Sequence, residues 1–198
     1  MTQSSPIAAA LAGITCLAGV AFAPATAWAQ PQPAQLLAAG SEIAFVTRQM
    51  GVPVQGRFGK FSAQVALDPR KPEAGSVSFT IETASARFGN AEVDAEVPKP
   101  TWLNVAQFPQ ASFQSTSIKA AGPGRFEVAG KLVIKGSARD LVVPVQITQA
   151  GATSSASGTF TIKRLDFKVG EAEWADTSML ANDVQVRFKL ALAGLAPL

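Results

Sequence analysis

The chain has 198 residues, with 17 lysines and arginines, 14 aspartates and glutamates, no histidine and one cysteine, Cys16. The missing histidine excludes Ser-His-Asp triads, and one cysteine supports neither an internal disulfide nor the usual Cys/His zinc site. Because the net charge of +3 is mild and basic and acidic residues are interspersed, the composition does not indicate nucleic-acid binding. These absences exclude much enzyme chemistry, and we expect a protein that is not an enzyme and holds no metal and no cofactor.

Residues 1–29 are predicted to be a cleavable signal peptide. They carry no charged residue, contain an apolar run from Ile7 to Phe22 and end in the small-x-small triplet Ala27-Trp28-Ala29. No lysine or arginine precedes the run, which departs from a typical signal peptide. Because glycine and threonine interrupt the run, a retained membrane anchor is the less favoured alternative. We expect export to the periplasm.

The remainder of the chain is predicted to form one domain. Residues 30–39 are rich in proline, glutamine and alanine and are expected to be a flexible leader. Residues 40–198 are long enough for a single domain with its own core, and no second boundary is evident.

Beyond the leader, apolar and polar residues alternate with a period of two, which predicts β-strands with one buried face. In one such strand Val77, Phe79 and Ile81 share a face, and Ser78 and Thr80 lie on the other. Eight segments show this pattern between turn signals: 42–48, 59–68, 76–82, 111–119, 125–135, 140–148, 157–164 and 184–192. Eight consecutive antiparallel strands close into an up-and-down barrel without free edges, so the predicted fold is all-β.

One short helix is predicted, at 101–106. Pro98 and Pro100 come just before this segment, and the helix would lie at an opening of the barrel or across its side.

The interior of an eight-stranded barrel is either filled by side chains or holds one small ligand. Small inward residues leave room for a ligand, or they let a strand bend. Periodicity alone favours the filled interior. The inferred inward residues are Phe45, Phe79, Ile81, Ile134, Phe160, Ile162 and Phe188, together with the small residues Ala63, Gly130, Gly136 and Gly158.

Arg164 follows the inward parity of its strand and has two possible roles. It could offer a polar handle to a ligand at the mouth of the barrel, or it could pair with Asp166 and fix the turn, which we favour. Trp102 and Trp174 are candidate rim aromatics or core residues.

Three motifs resemble signatures of the YceI family. They are Phe108-Pro109-x-x-x-Phe113, the segment 126–136 with its Leu-x-Ile-x-Gly pattern, and Arg164-x-Asp166-Phe167-x-Val169-Gly170. The resemblance covers roughly residues 40–192. It implies a lipocalin-like barrel that binds polyisoprenoids or other long-chain lipids, and it favours a hollow interior.

The resemblance therefore implies a periplasmic carrier for a polyisoprenoid, an isoprenoid quinone or a similar lipid. The alternative that it suggests is an accessory protein of a membrane b-type cytochrome, with a filled barrel that binds its partner. A hydrolase using two carboxylates would need convergent acidic residues, which no spacing requires. A homodimer is possible, although no motif decides it. The predicted ligand-binding residues are Phe45, Phe79, Ile81, Trp102, Phe113, Leu132, Ile134, Phe160, Ile162, Arg164, Phe167, Trp174 and Phe188.

Overall fold

The computed structural model describes residues 33–198, in which ten antiparallel strands form one sheet that curls into a half-barrel. The predicted signal peptide lies outside these residues. Within them there is one α-helix, α1 at Ala91–Glu96, and short 3-10 helices occur at Pro72–Ala74, Thr83–Ser85, Arg164–Phe167 and Ala172–Trp174. The strands are β1 Gln35–Gln49, β2 Val52–Phe58, β3 Phe61–Ala66, β4 Ser76–Glu82, β5 Ala86–Arg87, β6 Gln110–Gly122, β7 Arg125–Ile134, β8 Ser137–Ala150, β9 Thr153–Lys163 and β10 Asp183–Ala193.

The strand order confirms an all-β, up-and-down arrangement. From one edge to the other the order is β3-β4-β6-β7-β8-β9-β10-β1-β2-β5. Only Gly59 and Lys60 separate β2 from β3, but the two strands have different partners. Strand β2 pairs with β1, and strand β3 pairs with β4. The sheet curls far enough for the amide of Ala34 to donate to the carbonyl of Val65, at 2.7 Å. This bridge joins the beginning of β1 to β3.

The structure has two strands more than the eight predicted, because β2 and β5 were missed. In β2 the inward positions are Val54, Gly56 and Phe58, so glycine interrupts the apolar side of the alternation. Pro53 near the start of the strand also reads as a strand breaker, but it lies at the hairpin end of the ladder, opposite Arg48. Strand β5 has two residues and is too short to show a period.

The prediction of a flexible leader at 30–39 is wrong for its second half. Strand β1 begins at Gln35 and pairs with Ala193 of β10. The ladder shifts register between Leu37 and Glu42, where the Ser41 hydroxyl donates to the carbonyl of Leu37 at 2.6 Å and accepts from the amide of Ala191 at 2.9 Å. The Ser41 side chain thus takes the place of a main-chain hydrogen bond between β1 and β10, and residues 35–39 are held to the sheet.

The short helix exists, but its predicted position is wrong. Helix α1 begins after Asn90, whose side-chain oxygen accepts from the amides of Glu92 and Val93, as an N-cap residue does. Residues 101–106 instead form irregular turns, in which Asn104 has a φ of 49°. That left-handed residue interrupts helical hydrogen bonding.

The hydrophobic core closes one end of the barrel. Buried residues from six strands meet there beneath the turns that join β6 to β7 and β8 to β9. The opposite end is covered by residues 83–109 and 164–182, which connect β4 to β6 and β9 to β10. The core residues are Ala34, Val65, Leu67, Ile118, Phe126, Val128, Ile147, Ala156, Leu190 and Leu192.

The tip of the β1–β2 hairpin carries a strained residue. Met50 has a φ of 47°, Gly51 has a φ of 79°, and Met50 is 65% exposed. We expect Met50→Asn to raise the free energy of unfolding by about 0.5–1 kcal/mol, because asparagine tolerates the left-handed conformation and little packing is lost. Urea denaturation would check this. A loss of stability would mean that the exposed methionine makes a contact that outweighs its strain.

Candidate functional site: an apolar cavity

The barrel is hollow, with an internal cavity of about 430 Å³. This volume falls in the range of small-molecule sites, roughly 300–1,000 Å³. The wall is formed by inward side chains of the strands and by residues of the two covering segments. It is predominantly aliphatic and aromatic, so the cavity suits an apolar ligand. The filled interior that periodicity favoured is therefore wrong.

All thirteen residues predicted from the sequence lie on the wall of this cavity. Strand parity accounts for most of them, and Trp102, Phe167 and Trp174 come from the covering segments. The placement is not itself evidence of contact with a ligand, so that role stays a prediction. The thirteen are Phe45, Phe79, Ile81, Trp102, Phe113, Leu132, Ile134, Phe160, Ile162, Arg164, Phe167, Trp174 and Phe188.

Sequence reasoning missed other residues of the wall. Several share the inward parity of predicted strands and could have been found by extending the same period, whereas those of β2 were lost with the strand. Thr47 was missed because it is polar, although it continues the parity of Phe45. The missed strand residues include Ile43, Thr47, Val54, Phe58, Val143, Val145 and Val186.

Glycines make room for three of the phenylalanines in the wall. Phe45 lies opposite Gly56, and a Cβ built on this glycine would be 2.3 Å from the ring. Phe188 lies opposite Gly158, where a Cβ would be 2.6 Å from the ring.

The third ring, that of Phe113, lies across Gly130, where a Cβ would be 2.4 Å away. In each case the ring occupies the space that a side chain on the glycine would need. Gly130 and Gly158 were expected either to leave room for a ligand or to let a strand bend. In the structure each of them instead makes room for the aromatic ring of a neighbouring phenylalanine.

Arg164 is buried at the covered end of the cavity and is 3% exposed. Its Nε donates to the carbonyl of Ala181 at 3.0 Å, and its Nη1 donates to those of Val169 and Gly170 at 3.0 and 2.6 Å. Its Nη2 donates to the carbonyls of Trp174 and Leu180 at 2.5 and 2.8 Å. An arginine has five N–H donors, so every donor is used.

These bonds correct both interpretations of Arg164. The partners are main-chain carbonyls rather than Asp166, which is exposed, so the predicted ion pair is wrong. The polar-handle interpretation is wrong too, since no N–H is free for a ligand. Burial lowers the pKa of Arg164 from its usual value by desolvation, but a guanidinium remains charged at neutral pH. Arg164 holds together the segment that covers the cavity.

A lysine joins the two covering segments. The Lys135 side chain is only 8% exposed, and its Nζ donates to the carbonyl of Lys168 at 2.5 Å and lies 3.6 Å from Glu171 Oε2. The carbonyl of Thr101 is 3.4 Å from the same nitrogen. Nearby, the rings of Trp102 and Trp174 lie 5.4 Å apart. The two segments therefore meet above the cavity.

Two further structural findings concern residues 33–198. No helix among them is long and apolar enough to cross a membrane. The same residues contain no group of three metal-ligating side chains placed to hold an ion.

A curled antiparallel sheet with one packed end and an apolar cavity is a lipocalin-like fold. The model of the YceI-like domain matches residues 35–192. The chain therefore belongs to the YceI-like family.

This chain is also similar in sequence to curated proteins. A UPF0312 protein of Ectopseudomonas mendocina (strain ymp) is 32% identical over 120 residues, which are 58% of this chain and 63% of that protein. The match thus spans less than two thirds of that relative. A UPF0312 protein of Vibrio cholerae is 27% identical over 157 residues, which are 74% of this chain and 83% of that protein.

Solved structures show the same fold. Burkholderia cenocepacia BcnA is 43% identical and superposes with a TM-score of 0.77, covering 79% of this chain and 99% of BcnA. A polyisoprenoid binding domain from Saccharophagus degradans, implicated in plant cell wall breakdown, is 13% identical with a TM-score of 0.62, covering 85% and 100% of the two chains. At that identity the likeness shows the fold alone.

Proposed function

We propose that this protein binds a long-chain apolar ligand, such as a polyisoprenoid or an isoprenoid quinone, inside the barrel. In this proposal it is a periplasmic carrier and catalyses no reaction. The observation that carries the proposal is the cavity of about 430 Å³ with its aliphatic and aromatic wall. Each buried methylene contributes about 0.8 kcal/mol, so a chain of modest length outweighs the cost of association. The polyisoprenoid-binding domain of the same fold supports this ligand class.

The alternative is an accessory role beside a membrane b-type cytochrome. That hypothesis assumed a filled barrel and a surface that binds the partner, whereas the cavity favours a carrier. Association with a cytochrome and formation of a homodimer stay predictions.

The direct experiment is native mass spectrometry of the protein purified from its own cells without detergent, followed by organic extraction. A stoichiometric lipid with a long apolar chain is the expected result. Ligand-free protein that also ignores added geranylgeraniol and isoprenoid quinones would contradict the proposal.

Narrowing the cavity should weaken binding. Val143 is 7% exposed and lies on the cavity wall, so Val143→Phe places additional carbon atoms in the space that the ligand needs. Displacing two methylenes of a bound chain would cost about 1.6 kcal/mol, which is a loss of affinity of about tenfold or more. Titration with geranylgeraniol would measure the loss.

The neighbouring Val142 offers a matched control, because it is 55% exposed on the outer face. Val142→Phe should bind like the unmodified protein. If Val143→Phe fails to fold, Ile134→Phe is the second variant on the wall. Unchanged affinity in a folded cavity variant would place the ligand elsewhere.

A further inference from the structure

Two polar atoms in the cavity wall have no hydrogen-bond partner among the described residues. They are the hydroxyl Oγ1 of Thr47 and the indole Nε1 of Trp102, and both atoms are buried. By contrast, the hydroxyl of Thr83, also in the wall, donates to the carbonyl of Phe108 at 2.8 Å. Leaving a buried donor unpaired costs roughly 1–3 kcal/mol. An orphaned donor inside a ligand-sized cavity therefore indicates a group that the ligand supplies.

Trp102 belongs to a covering segment, and the six-membered part of its indole ring lies close to the Arg164 cluster. A Cβ on Gly170 would be 2.9 Å from the Trp102 ring and 2.8 Å from Arg164 Nη1, so the glycine separates the ring from the guanidinium. The carbonyl of Gly170 is also one of the five acceptors of Arg164.

Thr47 belongs to the same end of the barrel. It lies on β1 two residues before Gln49, which bridges to Leu180. The carbonyl of Leu180 accepts from Arg164 Nη2. The two residues that carry the unpaired atoms, Thr47 and Trp102, are therefore both placed at the end of the barrel that the Arg164 segment covers.

The chemistry of these groups limits what they could bind. An indole N–H only donates, so its partner must be an acceptor, and the threonine hydroxyl can donate or accept. Arg164 has no free donor, and the nearby Lys135 already contacts a carbonyl and a carboxylate. A phosphate would therefore be buried without a free cationic donor, which is costly.

We propose that Trp102 Nε1 and Thr47 Oγ1 form a subsite for an uncharged oxygen, a hydroxyl or a carbonyl, carried at one end of an otherwise apolar ligand. This inference rests on the proposed lipid-binding function and adds to it the chemical class of the head group. Trp102 donates to that oxygen, and Thr47 completes its hydrogen bonding.

The test compares three probes with one C20 isoprenoid chain: geranylgeraniol, geranylgeranyl phosphate and the hydrocarbon in which a methyl group replaces the CH₂OH end. The full protein should bind the alcohol more tightly than either of the others. In Trp102→Phe and Thr47→Val, affinity for the alcohol should fall about 3–10-fold, the value of one net hydrogen bond. Affinity for the hydrocarbon should fall less than affinity for the alcohol, so the ratio of the two affinities decreases in both variants.

A matched control and a ligand-free measurement separate this role from a structural one. Thr159→Val makes the same change on the exposed face of β9 and should leave all three affinities unchanged. Without ligand, Thr47→Val should melt at the same temperature or higher, because it removes an unpaired hydroxyl.

The outcomes are distinguishable. If the unmodified protein binds none of the probes, the proposed function and the subsite both fail. If it binds them but Trp102→Phe weakens alcohol and hydrocarbon equally, lipid binding stands and the subsite is overturned. Tighter binding of the phosphate than of the alcohol would overturn the uncharged head group.

Discussion

Replacing Arg164 by methionine is expected to lower the free energy of unfolding by about 3–5 kcal/mol, because five main-chain carbonyls, all at least partly buried, lose their donor. The acceptors lie in the segment 169–181, so the covering segment should loosen first. Arg164→Lys keeps the charge but has only three N–H donors, and we expect an intermediate loss. Urea denaturation would measure the change in stability, and hydrogen exchange would locate it.

Two neighbours serve as controls for this prediction. Lys163 is exposed, and Lys163→Met should change stability by no more than about 0.5 kcal/mol. Asp166→Ala tests whether the partners of Arg164 are main-chain carbonyls, as in the structure, or Asp166, as inferred from the sequence. A real Arg164–Asp166 pair would make the two variants similarly harmful, whereas the carbonyl partners predict a small effect for Asp166→Ala. A large effect of Asp166→Ala would contradict the role assigned to Arg164.

Gly158→Ala is expected to destabilise the protein by about 2–3 kcal/mol, because the new methyl group has no space. A Cβ there would lie 2.3 Å from the carbonyl oxygen of Pro144 and 2.6 Å from the ring of Phe188. The first contact is with backbone, which cannot rotate away, so β8 and β9 would have to separate locally. Thermal denaturation would measure the effect. An unchanged melting temperature would show that the strands can move apart without cost.

Gly56→Ala is the companion variant with a different expected outcome. Its nearest contact is the ring of Phe45, at 2.3 Å, and the nearest backbone atom, the carbonyl oxygen of Arg87, is at 3.1 Å. The ring of Phe45 packs on Phe58 and Phe88 and lies on the cavity wall, so it should shift into the cavity. We expect a smaller loss of stability than for Gly158→Ala and a weaker affinity for geranylgeraniol. Equal losses of stability in both variants would contradict this distinction.

Much of the fold and of the wall could be predicted from the sequence, because side chains of a half-buried strand alternate strictly. Phe79, Ile81 and Ile134 were placed on the cavity wall for this reason. The hollow interior could not be predicted from that period, since alternation is the same in a filled and in a hollow barrel. The family resemblance favoured the cavity, and the structure agrees with it.

What was missed depends on contacts between distant residues. Arg164 was assigned a partner two residues away, whereas its acceptors extend to Ala181, and no local pattern marks main-chain carbonyls as partners. Strand β2 was missed because Gly56 contributes no apolar side chain to its inward face. The ring of Phe45 fills the space beside Gly56, and this contact is known only from the register of β1 against β2. The helix was expected after Pro100, but the N-cap of Asn90 starts it earlier.

The three phenylalanine rings that pack against glycines also have a consequence for evolution, because they allow the set of ligands that fit the cavity to change within a family. A glycine codon becomes an alanine codon by one base change, so the volume available to a ligand can shrink in a single mutational step. Such a step alters no residue that touches the ligand, and the wall keeps its apolar character. At Gly56 the nearest backbone atom would be 3.1 Å from the new Cβ, compared with 2.5 Å at Gly130 and 2.3 Å at Gly158, so this route is the least costly of the three. Relatives with alanine at the position of Gly56 are therefore expected to prefer slimmer or shorter chains.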